Sequence, residues 1–582
     1  MRSSAEGVDR QWRERIHHDG SALYVPDQNP RLGAAADVWL RTGPGVRAVH
    51  VRSIEDGEPR FTPATAERRG GELWWRAGIL VRNPVTRYRF HVDGDWYTVL
   101  GRFAHDVPDD TDFRLVAHHG PAPWTREAIV YQIFPDRFAR SATAPATPDW
   151  AVRCDWDEPV TGRGPLASRQ WYGGDLDGIA RRLDHIQDLG ADTVYLTPFF
   201  PARSNHRYDA VAFDRVDPLL GGDRALRRLA DALHTRGMRL VGDLTTNHTG
   251  VEHPWFDQPD LYYMSADGGY ESWLGVPSLP KLNWHSARLR QRFVTDADSI
   301  VRRWLRYLDG WRVDVANMTG RRAADDLTHE VSRLIAEAVR AARPDALLVA
   351  EHAHGAGADL DAGGWQGTMN YAGFLRPLWS WLRADDLDLP DFLGVPGGVP
   401  RRDGHALVRT MLVMMATMSW RAWTHSWNLL GSHDTARIRT VVGDLGRMEV
   451  AAGLLATLPG VPMMFAGDEF GLTGSTGEQA RTPMPWRKSL QTLPWYGRLL
   501  SLRRKHAALR GGGLRFAHVD ADAVAFWRET HDERLLILAR RAPGTPVALS
   551  GVAEATNLYG GAPLTGELPA DGPTLQIWSC PP

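Results

Sequence analysis

Ionisable side chains fall at the ends of several short apolar segments. Asp243 closes one, with Asn247 and His248 just beyond it. Arg312 and Asp314 lie in a second, Glu351 ends a third, and His433 and Asp434 end a fourth. Singly, an acid at such a place reads as a structural ion pair or a cap. Together they are harder to explain that way, because several partly buried charges cost several kcal/mol each if unpaired. Three carboxylates with few cations suit cleavage of a glycosidic bond. One acts as nucleophile, one as general acid/base, and an ionised third stabilises an oxocarbenium-like transition state. Arg312 and Asp314 stand at i and i+2, on one face of a strand, so Arg312 is expected to keep Asp314 ionised. Glu351 follows the apolar run Leu347–Ala350, which is expected to raise its pKa, as a general acid requires.

Groups so far apart in sequence need a scaffold that gathers strand ends. From about residue 128, short apolar strands alternate with amphipathic helices: Ala128–Phe134, Thr193–Phe199, Met238–Leu244, Gly310–Ala316, Leu347–His352, Gly367–Ala372, Trp427–His433 and Val461–Asp468. Leu176, Ile179, Leu183, Ile186 and Leu189 build one apolar helical face. Ala225–Thr235, Arg288–Leu308, Leu327–Ala342 and Met448–Leu458 read as helices, with Asp223, Ser286 and Asp403 as N-caps. Eight alternations predict an α/β (β/α)8 TIM barrel over residues 121–510, whose active groups sit at the C-terminal ends of the strands. Residues 247–285 form a long irregular stretch after the third strand, read as a small inserted domain. Residues 1–120 carry short alternating segments and turn signals at roughly ten-residue spacing, which predicts an N-terminal β-sandwich with Trp74, Trp75, Trp96 and Tyr97 mostly in its core. The Gly511–Gly513 break introduces a C-terminal β-sandwich over 511–582.

Composition removes other classes. The chain has 582 residues and a net charge of -2, which argues against a nucleic-acid partner. Arg supplies nearly all the positive charge, since lysine occurs only at Lys281, Lys488 and Lys505. Cys154 and Cys580 make neither a disulfide framework nor a metal-ligand pattern. No apolar run approaches the ~20 residues that span a bilayer; Met411–Met418 reads as a buried helix. Met1–Gly20 has no apolar core of a leader peptide, so a cytoplasmic address is expected.

The segments also carry motifs. Asp243-Leu-Thr-Thr-Asn247-His248, Gly310-Trp-Arg312-Val-Asp314-Val-Ala-Asn317, Glu351 and Asn428-Leu-Leu-Gly-Ser-His433-Asp434 resemble the four motifs of the α-amylase family (family 13) of glycoside hydrolases. Leu279-Pro-Lys281-Leu-Asn283 is similar to the inserted-domain motif of its cyclomaltodextrinase, neopullulanase and maltogenic amylase branch. Tyr131-Gln-Ile-Phe-Pro-Asp136-Arg137-Phe, Gly173-Gly-Asp175-Leu and Ser204-Asn-His206-Arg-Tyr208-Asp209 match as well. The resemblance implies Asp314 as nucleophile, Glu351 as acid/base and Asp434 as transition-state stabiliser. It implies substrate binding by Tyr208, Asp209, His248, Arg312, Asn317, His433 and Arg437, with Asp209 and Arg437 as a pair closing the non-reducing end. It further implies small or cyclic α-glucan substrates with α-1,4 and some α-1,6 links, and a homodimer through the N-terminal domain. A transglycosylase with the same intermediate and a non-catalytic carbohydrate-binding homologue are the rival readings. The family sometimes binds calcium near the position of Asn247, but no dense acidic loop exists here, so no metal or other cofactor is expected to be required. The chain departs from the branch at Met318, where Glu is usual, and at Ala353, where an aromatic residue is usual, with His352 and His354 on either side. Both departures point to altered aglycone subsites.

Overall fold

The computed structural model describes residues 16–69, 71–141, 145–265, 268–389, 394–487, 491–549 and 555–581. The leader-peptide reading falls largely on residues 1–15, and Lys488 on 488–490, outside the described residues.

Eight parallel strands form one sheet: β1 (Val130–Ile133), β2 (Thr193–Leu196), β3 (Arg239–Thr245), β4 (Gly310–Asp314), β5 (Leu347–Ala350), β6 (Gly367–Thr368), β7 (Trp427–Leu429) and β8 (Val461–Phe465). Their hydrogen-bonded order is β6-β5-β4-β3-β2-β1-β8-β7. A single parallel bridge between Met369 and Trp427 joins the two ends, with Asn370 N donating to Trp427 O at 2.8 Å. The result is a nearly closed (β/α)8 barrel. Its strands are continuous apolar runs because helices cover one face and the barrel interior the other.

Gly222–Thr235, Thr328–Ala342 and Leu445–Thr457 are helices much as the periodicity indicates. Ser286 and Asp403 cap their helices, accepting from Leu289 N and Ala406 N. Asp223 does not: Gly221 occupies the cap in a left-handed conformation, and Asp223 instead accepts from Val216 N at 2.8 Å. The expected helix over 288–308 is broken. Ala287–Arg290 runs into a π-turn at Gln291–Thr295, Asp296 is extended, and helix resumes at Ile300–Arg303. Local bonds replace the helical ones there, with Ser299 Oγ and Arg302 Nε both donating to Val294 O. The stripe from Leu176 to Leu189 likewise divides into Leu176–Ala180 and Leu183–Asp188.

Before the barrel, an antiparallel sheet of Ala35–Thr42, Glu72–Leu80 and Thr65–Arg69 faces a second sheet built on Val49–Glu55 and Val85–Val92. Trp75 and Tyr97 are buried in the core between them. Trp74, the neighbour of Trp75, points to the opposite face and stacks on Tyr24 at 5.5 Å under the Arg69 guanidinium. Trp96 is half-buried and bonds Asp106 through its indole N–H. After the barrel, a five-stranded antiparallel sheet begins at Gly513 and packs with a two-stranded one, Val547–Ala548 with Glu567–Leu568, around a separate apolar cluster.

Candidate active site

β3, β4 and β5 bring four charged groups to the same point: Asp243 from β3, Arg312 and Asp314 from β4, and Glu351 just after β5. Register pairs Asp243 with Arg312 and Thr245 with Asp314. Arg312 is fully buried, and its Nη1 lies 2.9 and 3.0 Å from the Asp243 oxygens and 3.0 Å from Asp314 Oδ1. Its Nη2 is 3.0 Å from Glu351 Oε2, an ion pair outside hydrogen-bonding geometry. One guanidinium thus faces three carboxyl groups.

Asp243 Oδ2 also accepts from Tyr195 Oη at 2.6 Å and Tyr208 Oη at 2.9 Å. Burial pushes Asp243 up to about 6 against the pull of Arg312 and both hydroxyls. Tyr208 Oη is 2.7 Å from His433 Nε2, and the two rings are nearly parallel at 5.6 Å. Gln132 Nε2 meets His433 Nδ1 at 2.8 Å. The amide donates, so the imidazole proton belongs on Nε2, shared with Tyr208 Oη and with Asp434 Oδ2 at 3.1 Å. Burial, reinforced by Arg481 and Arg312, holds His433 well below the usual histidine range, hence neutral.

Asp434 is the most open of the three acids. Its Oδ1 takes Arg481 Nη2 at 3.2 Å. Asp314 is buried, and the upward push falls on this residue: desolvation first, then the Glu351 charge, with Arg312 opposing. This corrects the expectation that Arg312 keeps Asp314 ionised: burial and the neighbouring carboxylates outweigh Arg312, because the site holds more negative than positive charge. Glu351 is half-exposed and accepts from Val315 N at 2.7 Å. Val315 makes this bond in a left-handed conformation, φ 34° and ψ 48°. A β-branched residue there costs about 1–3 kcal/mol, so the turn behind Asp314 is held under strain by the groups it serves.

His248 is buried, and desolvation with Lys281 lowers it to about 3. Its Nδ1 lies 3.1 Å from Asn247 Nδ2, while its Nε2 has no hydrogen-bond partner. Lys281 donates from Nζ to Asn247 Oδ1 and, at 2.8 Å, to Met318 O. Asn317 is half-buried and contributes its carbonyl to Arg321 Nη1 at 2.9 Å. Beyond Glu351, His352 donates toward Asp359, 3.1 Å away, which also receives both Arg321 nitrogens (2.7 and 3.0 Å) and His329 at 2.9 Å. Burial opposes the Asp359 charge, but His352, Arg321 and His329 win and hold the carboxyl well below the usual range. His354 is exposed.

The Asp209–Arg437 pair does not form. Arg437 is buried and fully engaged, at 2.9 Å from Asp468 Oδ1, 2.8 Å from Ala466 O and 2.9 Å from Ala480 O. Asp209 accepts instead from Ser204 Oγ and Arg203 N, and burial raises it to about 6. Tyr195, Gln132, Arg481 and Asp359 are partners that motif reading passed over. Tyr195 and Gln132 left a trace, as polar groups inside apolar strands; Arg481 and Asp359 lie in connections and left none.

A parallel barrel with Asp314, Glu351 and Asp434 gathered at one mouth is the architecture of an amylolytic glycoside hydrolase. The alpha amylase catalytic domain profile matches residues 132–273 and 263–498, and the chain belongs to that family. It is 30% identical over 464 residues to a cyclomaltodextrinase of Bacillus sp., covering 74% of this chain and 76% of the relative. Among solved structures, a cyclomaltodextrinase superposes with a TM-score of 0.72 at 25% identity over 97% of this chain and 99% of that one. The cyclic α-maltosyl-(1→6)-maltose hydrolase of Arthrobacter globiformis superposes at 0.65 with 30% identity, over 79% of this chain and 100% of its own. The protein is therefore a glycoside hydrolase of the cyclomaltodextrinase, neopullulanase and maltogenic amylase type, acting on α-glucans.

Proposed function

We propose that the enzyme is a retaining hydrolase of small or cyclic malto-oligosaccharides, cleaving α-1,4 links and some α-1,6 links. The observation that carries this is Arg312, whose single guanidinium touches Asp314 and Glu351 together. It supports the close carboxyl spacing of about 5–5.5 Å that a covalent intermediate needs, where inversion leaves room for a water. In this reading Asp314 and Glu351 share a proton in the resting site. Substrate binding leaves it on Glu351, which protonates the leaving oxygen while Asp314 attacks the anomeric carbon. Water, giving its proton to Glu351, then releases the α-anomer. Asp434 faces the developing positive charge. Tyr208 and His433 offer a paired ring surface and a hydroxyl to the glucosyl unit. His248, with its unpartnered Nε2, and Asn317 are assigned to sugar hydroxyls. Likeness to a hydrolase named for a cyclic α-1,6-containing saccharide supports the mixed linkage.

We further propose that no metal is required, because the Lys281 ammonium already sits on Asn247 Oδ1. The sandwich is assigned a dimer contact around exposed Phe61, which lies beside Trp96. Two free, buried cysteines fit a cytoplasmic address; among the described residues no helix is long and apolar enough to cross a membrane. Proton NMR of the first product formed from maltotriose tests the central reading. The α-anomer is expected, and initial β-anomer would overturn it.

A further inference from the structure

A cavity of about 50 Å³ lies where the strand Phe113–Val116 of the N-terminal sheet passes the chain to the barrel. It opens beside Ala346 and Leu348, near the start of β5, the opposite end of that strand from Glu351. At about 10–15 Å³ for each water-sized group it admits roughly three to five heavy atoms. Its wall carries His119, Arg340, Arg421 and Trp365. Trp365 is 4% exposed, and its Nε1–H is buried without a hydrogen-bond partner. Such a donor is costly to leave unmade. Among the described residues Arg340 has no acidic partner within ion-pair reach. Arg421 spends Nη1 on neutral groups, Asn29 Oδ1 at 2.9 Å and His118 O at 3.2 Å. The nearby carboxylate, Asp361, is not part of the wall and pairs with Arg114 at 3.2 Å. Desolvation lowers His119, and Arg340 and Arg421 lower it further, so both guanidinium groups lie close to this ring. The wall is thus rich in donors and holds two guanidinium groups, with Asp361, outside it, as the carboxylate that acts on Arg421.

We propose that this cavity binds a small oxyanion, inorganic phosphate being its simplest form, through Arg340, Arg421 and the Trp365 indole N–H. Guanidinium forks match the oxygen spacing of such ions. The occupant would touch the Val116–Pro121 connection and the helices Thr328–Ala342 and Trp420–His425, bracing the joint between sandwich and barrel. The reading is independent of the catalytic assignment.

Titration calorimetry and thermal unfolding of the full chain in chloride buffer test it, with inorganic phosphate as the probe. Saturable one-to-one binding below 10 mM is expected, with the melting point rising about 1–3 °C at tenfold the dissociation constant. Arg340→Gln should weaken binding about tenfold or more, and Trp365→Phe, which keeps the ring and loses only the N–H, about fivefold. α-Glucose 1-phosphate forms a second arm. Tighter binding than phosphate would identify a phosphorylated sugar as the source of the oxyanion, and equal or weaker binding the free ion. Wild type that binds neither compound below 10 mM, or a folded Trp365→Phe that binds both as wild type does, would overturn the proposal.

Discussion

On the Tyr208 side of the carboxylate cluster, Asp243, Arg312, Tyr195, Tyr208, His433 and Gln132 form one chain of hydrogen bonds. On the His352 side, the polar anchor is Asp359, and near it in sequence stand Ala353, partly buried against the core, and exposed His354, with half-buried Met318 on the neighbouring connection. The first side is fixed by charge: a buried Arg312 cannot move without stranding three carboxyls. The second is fixed by one carboxylate farther along the chain: Asp359 ties Arg321, His329 and His352 together.

The sharpest challenge to this contrast is Asp314→Asn. Its kcat on maltotriose should fall on the order of 10⁴-fold or more; a residual rate above about a hundredth of wild type would break the assignment. Arg312→Gln comes next, since it leaves buried Asp243 and Asp314 uncompensated. A loss of about 3–5 kcal/mol in stability by denaturant unfolding is expected, with kcat/KM down about 10²–10³-fold. If stability is unchanged, charge does not hold that side. Tyr208→Phe removes one hydroxyl and keeps the ring; about a tenfold drop in kcat/KM is expected. Asp359→Asn should act on the other side alone. The KM for maltotriose should rise about fivefold while turnover of an aryl α-glucoside stays within about twofold; equal losses on both would merge the two sides.

The smallest effect concerns Asp209, raised by burial from 3.8 to about 6. Below about pH 3 the carboxyl is protonated in both folded and unfolded chains. Between about 4 and 6 the unfolded chain ionises while the folded one keeps its proton, so stability is lost as pH rises. The melting point of wild type should fall by about 1–2 °C relative to Asp209→Asn across that window, and a constant difference would remove Asp209 from the pH response.

Much of the barrel was readable because parallel strands bury both faces and so appear as apolar runs, and because their reactive groups sit at strand ends. β6 shows the limit: the apolar segment extends to Ala372, yet only Gly367–Thr368 form strand, with Met369 adding a single bridge, before a π-turn at Tyr371–Leu375. The carboxylates and His433 were legible by position. The fate of Arg437 was not, since its partner Asp468 lies past the next strand and nothing local distinguishes that acid from Asp209. Arg481 was invisible for the same reason. A side chain in a connection declares its type but not its direction.

Lys281 reaches Asn247 from the far end of the irregular stretch after β3. A charge carried on a side chain arrives in fixed ratio to the polypeptide, and neither chelation nor scarcity of a mineral can remove it. Under the proposed metal-free reading, the mouth of the barrel is complete when synthesis ends, whatever the ionic make-up of its surroundings.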